Sequence, residues 1–118
     1  MTDSILISIK KLIGGIPADY THFDEDVITQ INTAFGRLHT LGVGPANGYS
    51  ITDESNEWSE FMSDGHVLNM CKTYIQLKVR LYFDPPTIAA VLQAMQDQVK
   101  ELEWILNAEE DVEMEVTQ

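Results

Sequence analysis

His66-Val-Leu-Asn-Met-Cys-Lys-Thr-Tyr-Ile-Gln-Leu-Lys-Val-Arg-Leu-Tyr-Phe83, followed by Asp84-Pro85-Pro86, is the stretch that decides the fold. At about 100° per residue, Val67, Leu68, Met70, Cys71, Tyr74, Ile75, Leu77, Val79, Leu81 and Tyr82 cover most of a helix. One polar stripe is left, made of Asn69, Lys72, Thr73, Gln76 and Arg80. A helix that is apolar on nearly every side must be covered on nearly every side, which places it at the centre of a domain. The prolines end it, because neither donates the next helical hydrogen bond and each biases the residue before it away from helix.

On the C-terminal side, Ile88, Val91, Leu92, Met95, Val99, Leu102 and Leu106 repeat in a heptad-like stripe, with Gln93, Gln96, Asp97, Lys100, Glu101 and Glu103 outside it. This predicts a second, amphipathic helix packed on the first. After Asn107 the pattern stops, and Glu109, Glu110, Asp111, Glu113 and Glu115 have little to bury. The chain therefore divides into one domain over 1–107 and an acidic tail over 108–118, which is expected to be disordered in the free subunit.

On the N-terminal side, Ile5, Leu6, Ile9, Leu12 and Ile13 fall at helical spacing, with Ser4 or Thr2 as cap, Gly14-Gly15 as stop and Ile16-Pro17 as turn. A longer helix follows. It is read with Asp24 as N-cap, Phe23 stapled on Ile28, and an apolar stripe of Val27, Ile28, Ile31, Phe35, Leu38 and Leu41 closed by Gly42. Gly36 inside it is either a propensity defect of about 1 kcal/mol or a site of close backbone approach. Gly42 to Gly65 is dense in turn formers, and Tyr49-Ser-Ile51-Thr alternates as one short strand would. Trp58, Phe61 and Met62 make a short helical or irregular segment that anchors the loop. The expected fold is mostly α, a small bundle of about four helices with a long loop or short β segment between the second and third.

With 118 residues the chain is one ordinary domain, able to bury about two-thirds of its surface in a single core. Lys plus Arg total 7 against 19 Asp plus Glu, a formal net charge of −12 and a pI near 4.3. That balance argues against gripping nucleic acid or docking on an anionic membrane, since both need a surplus of cations. Lys10 and Lys11 interrupt the first apolar run where a signal peptide would continue, so synthesis in the cytosol is expected.

Few residues invite chemistry. Cys71 falls on an apolar helical face, which suits a core thiol and not a nucleophile, and one cysteine excludes an intramolecular disulfide. His22, His39 and His66 lie in separate segments without the spacing of a zinc site. Asp53-Glu-Ser-Asn-Glu57 resembles a calcium loop, but Trp58 stands where that loop needs glycine. No phosphate-binding, dinucleotide or nucleophile-elbow motif occurs. The sequence predicts no catalytic residue, no cofactor and no metal. Lys78 breaks a local rule, lying within the apolar face of the central helix. Either its stem packs while the ammonium reaches water, or it meets a carboxylate in the subunit or across a contact. Trp58, Phe61, Tyr49, Ile51, Lys78 and Arg80 are the candidate residues for a subunit or partner interface.

Three stretches together are similar to a known family: Leu12-Ile-Gly-Gly-Ile-Pro-Ala-Asp-Tyr-Thr-His-Phe-Asp24, Leu41-Gly-Val-Gly-Pro45 leading into Tyr49-Ser-Ile51, and Tyr74-Ile-Gln-Leu-Lys-Val-Arg-Leu-Tyr-Phe-Asp-Pro-Pro86. They resemble the small head-tail connector, or adaptor, proteins of long-tailed bacteriophages and prophages, from about Ile5 to Leu106. The resemblance implies a helical, non-catalytic subunit of a dodecameric ring beneath the portal protein, in the neck of the virion, built in the host cytoplasm. It also implies a platform for neck or tail-completion proteins and a channel that double-stranded DNA crosses without specific binding, with no membrane involved. The alternative class is a small acidic helical phage protein that mimics DNA or inhibits a host enzyme. Such a mimic should present carboxylates in rows on one face, whereas here they are spread over helix starts, loop and tail.

Overall fold

A computed structural model describes residues 3–13 and 21–117, with side chains as far as 108. The glycine stop at Gly14-Gly15 and the turn at Ile16-Pro17 lie outside the described residues. Five helices follow one another: α1 (Ile5–Leu12), α2 (Asp24–Thr40), α3 (Trp58–Phe61), α4 (His66–Phe83) and α5 (Ala89–Thr117). The mostly helical bundle expected from the sequence is what is found, with the four-residue α3 carried inside the long loop.

α4 has the bounds that the apolar run and the prolines dictate. Leu68, Cys71, Tyr74, Ile75, Leu77 and Val79 are buried, and α2 and α5 pack on it while α1 lies across α2 and α4. α2 ends as its glycine predicts. Gly42 adopts φ +85°, its N–H donates to the His39 carbonyl at 3.0 Å, and the Val43 N–H donates to the Leu38 carbonyl at 2.9 Å. This is a Schellman closure, and it turns Val43 back into the core.

Some expectations are corrected and some open alternatives are decided. Asp24 is not a cap but the first helical residue, and its carboxylate instead meets the Lys10 ammonium at 2.8 Å; Phe23, the supposed staple, is 44 % exposed. Of the two readings of Gly36 the propensity defect holds, since a Cβ there would meet nothing within 4 Å and no backbone approaches closely. Tyr49 to Thr52 form no strand, because the Asn32 side chain does what a neighbouring strand would do. Its Oδ1 accepts from the Ile51 N–H at 2.7 Å and its Nδ2 donates to the Ile51 carbonyl at 3.0 Å. Helix α5 is longer than its apolar stripe, running to Thr117, since Ala, Glu and Met sustain helix without a face to bury and no Gly or Pro intervenes.

The α1 stripe is also rotated from the expected one. Ile5, Leu6, Ile9, Ile13 and Lys10 are buried, whereas Leu12 is 55 % exposed. Lys10 is the buried cation of the subunit at 1 % exposure, not Lys78.

Candidate functional site

The loop between α2 and α4 is bound to the rest of the subunit along its length. Gly44 sits at φ +96°, and a Cβ on it would lie 2.6 Å from the Phe61 ring, so the backbone passes directly under that ring. Further along, Asn56 Oδ1 accepts from the N–H of Thr52 at 2.8 Å and from that of Asp53 at 3.3 Å. The Asp53 carboxylate accepts from the hydroxyl and N–H of Ser55, which hold it below the usual carboxylate range. The motif that resembled a calcium loop is therefore an internally bonded turn.

The same loop is tied to the start of α1. Ile5 N–H donates to the Asn56 carbonyl at 3.0 Å, Trp58 N–H donates to the Asp3 carbonyl at 3.1 Å, and Ser4 and Glu57 form an antiparallel bridge. The Trp58 indole N–H donates to Ser8 Oγ at 2.9 Å, and the Lys72 ammonium lies 5.4 Å from the centre of its ring. Tyr49 donates to Glu60 Oε1 at 2.8 Å. Burial and that hydrogen bond push its phenol up to about 12.

Trp58, Phe61 and Ile51 are thus buried in the subunit's own core, with Tyr49 half-buried beside them, and the rings of Phe35, Tyr49, Trp58 and Phe61 pack together. Those side chains hold the loop in shape, and of them Tyr49 also reaches the surface. A depression of about 430 Å³ opens between the loop and the start of α4, lined by residues that include Val43, Met62, His66 and Leu106. No group of three His, Cys, Asp or Glu side chains is placed to hold a metal among the described residues. Cys71 is fully buried, and burial pushes its thiol up to about 12, which leaves it without thiolate character at neutral pH.

Lys78 and Arg80 are half-exposed, and neither is in an ion pair among the described residues. The Lys78 charge helps to lower the pKa of Glu103. Lys78 is therefore not a fully buried charge within the subunit. Lys78 and Arg80 lie near the closed end of the α4–α5 hairpin, apart in the chain from the braced loop.

Sequence reasoning missed an apolar surface. Trp104 is 73 % exposed, Ile88 65 %, Tyr82 64 % and Val91 45 %. Ile88 and Val91 belong to the heptad stripe and looked like core. Trp104 gave a readable signal, because it stands opposite that stripe on the helical wheel, where a large apolar side chain has nothing in its own subunit to cover it.

No helix is long and apolar enough to cross a membrane among the described residues. The family model described as Phage connector protein matches residues 5–113. No curated protein and no solved structure matches.

Proposed function

This chain belongs to the phage connector protein family, and from that premise we propose that it assembles into a ring below the portal protein and carries the DNA channel onward from the capsid. The observation that carries this reading is the family match over residues 5–113, which spans all five helices except the last residues of α5. The family is structural, and Asn32, Tyr49 and Trp58 spend their polar atoms on bracing the loop. In the virion the ring occupies the neck and presents a platform for neck or tail-completion proteins.

The exposed apolar residues of the α4–α5 hairpin and the surface of the braced loop supply contacts to neighbouring copies and to the portal or the next neck component. Helix α5 or its acidic extension reaches the portal or the next neck component. Acids lining or flanking the channel repel the DNA backbone, so a moving duplex does not adhere. Reversing several of these acids without effect on DNA passage or infectivity would remove that electrostatic step.

The test is the mass in solution and electron microscopy of the particles, alone and mixed with the portal protein. Rings on the portal are the expected result. Particles that neither close into rings nor bind the portal overturn the reading. The mixture is the decisive sample, because ring closure can need the portal as template.

A further inference from the structure

Helix α5 is fastened to the subunit differently from the other elements. α1, α2, α4 and the loop are tied to one another at many points: Lys10 to Asp24, Asn32 to the backbone of Ile51, Ile5 and Asp3 to the backbone of Asn56 and Trp58, the Trp58 indole to Ser8, and Lys72 over the Trp58 ring. The polar ties of α5 are gathered at one place. Glu103 meets Tyr74 at 2.7 Å and Arg37 at 3.3 Å, and one turn later Asn107 Nδ2 donates to the Leu41 carbonyl at 3.2 Å. From 88 to 102, no hydrogen bond or ion pair joins α5 to another element among the described residues. The apolar seam is equally one-sided, since Leu106 is fully buried whereas Met95, Val99 and Leu102 each keep 7 or 8 % exposure. The connection to α4 is bare. Among the described residues no backbone hydrogen bond is made between that of the Asp84 N–H to Arg80 and that of the Leu92 N–H to Ile88, and Pro85 and Pro86 have no N–H to give.

We infer that α5 is a strap that opens as one unit about the 84–87 connection when its fastening at Glu103 and Asn107 parts, while α1, α2, α4 and the loop stay folded.

Local opening follows the seam whose loss disturbs the rest least. Lifting α5 gives up one apolar seam and the ties of two side chains. Lifting α1, although it is short, gives up a buried ion pair, the Ser8 bond to Trp58 and the backbone bonds that hold its start to the loop. The strap also covers a reporter. Val67 lines the same depression as Leu106, Tyr74 bonds to Glu103, and the Lys78 charge acts on Glu103, so α5 lies along that face of α4. Cys71 shares the face, four residues after Val67 and three before Tyr74. Its thiol is buried while the strap is closed and reachable once it opens.

The test is alkylation of the full-length protein by excess iodoacetamide, followed by intact mass, beside unfolding curves by circular dichroism. Cys71 is the one cysteine of the chain, so one mass step reads one site. A strap that opens alone lets native alkylation run at least about tenfold faster than the population of globally unfolded chain allows. The rate should also climb less steeply with urea than unfolding does, because less surface is exposed. Glu103→Gln, which weakens the fastening, should speed alkylation about tenfold. Asn32→Ala, which cuts a tie between α2 and the loop, should lower the unfolding midpoint yet leave the native alkylation rate within about twofold, since it acts on the body and not on the strap. Ser8→Ala, a milder loss in the body, takes its place if Asn32→Ala does not fold. Hydrogen exchange at low urea should show the amides of 93–106 opening together, ahead of those of 70–79. Alkylation no faster than global unfolding allows, a rate indifferent to Glu103→Gln, a rate that Asn32→Ala raises as much as it favours unfolding, or α4 and α5 exchanging together overturns the proposal.

Discussion

Tyr74→Phe isolates the interaction that ties three helices together. The Tyr74 side chain is fully buried on α4, and its hydroxyl donates to Glu103 Oε2 on α5 at 2.7 Å. Arg37 of α2 reaches the same carboxylate at 3.3 and 3.4 Å. Burial works to raise the Glu103 pKa, but the bonds from Tyr74 and Arg37, with the charges of Arg37 and Lys78, outweigh it and leave the carboxyl below its usual range. Burial and then Glu103 raise the Tyr74 phenol above its own range. The substitution deletes one hydroxyl and opens no large cavity, so its cost is that of a hydrogen bond to a charged acceptor, about 1.5–3 kcal/mol. Glu103 keeps Arg37 and is 21 % exposed at its side chain, which puts the expected loss at the lower end, about 1.5–2 kcal/mol. For a domain of this size that is a fall in Tm of about 5–8 °C. Arg37→Ala should cost less, about 0–1 kcal/mol, because its side chain is 47 % exposed and the pair is screened. Denaturant and thermal unfolding of both single variants, and of the double variant with Glu103→Gln, would measure the two couplings. A Tyr74→Phe cost below that of Arg37→Ala would refute the assignment of Tyr74 as the stronger tie.

The glycines give opposite expectations: Gly36→Ala should stabilise by about 0.5–1 kcal/mol, as it is an exposed helical position with open space around it, and thermal unfolding reads this directly. Gly44→Ala should destabilise by about 2–4 kcal/mol, because the backbone is at φ +96° and the Cβ would press on Phe61. Stability should fall at both ends of the pH scale. The lowered Glu103 contributes fully above its unfolded value of 4.5 and loses this as pH drops through the folded value, while the raised Tyr74 contributes fully below 10.0 and loses this as pH climbs through its own. Glu103→Gln should flatten the acid limb in a pH series of unfolding curves. Alkylation of Cys71 in the native protein should proceed only at the rate of opening, so that mild denaturant accelerates it steeply.

The parts legible in the sequence were those set by local rules. Apolar runs with hard stops fix α4 between Gly65 and Asp84, and Gly42 fixes the end of α2. The parts that were not legible depend on which distant residue a side chain meets. Asp24, Glu25 and Asp26 are three consecutive acids, and nothing local says that the first of them turns back to Lys10. Lys10-Lys11 is equally silent about which cation is buried, since that follows from α1 rolling so that Leu12 faces out. The alternating Tyr49 to Thr52 segment had strand periodicity, but a single Asn32 side chain satisfied the Ile51 backbone and removed any need for a second strand. Trp58 and Phe61 were legible as anchors of the long loop, but not which residues they anchor it to. Those contacts are with Ser8, Phe35 and Tyr49, on other parts of the chain.

This division bears on how an acidic subunit could surround DNA without holding it. Binding a duplex tightly needs several Lys or Arg side chains that meet phosphates and release their counterions. The subunit has 7 such side chains, and the fold itself uses three, Lys10 against Asp24, Arg37 against Glu103 and Lys72 over Trp58. The other four, Lys11, Lys78, Arg80 and Lys100, are spread over three helices. A duplex beside this subunit would meet 19 acids against those four cations, a balance that repels phosphates and does not collect them.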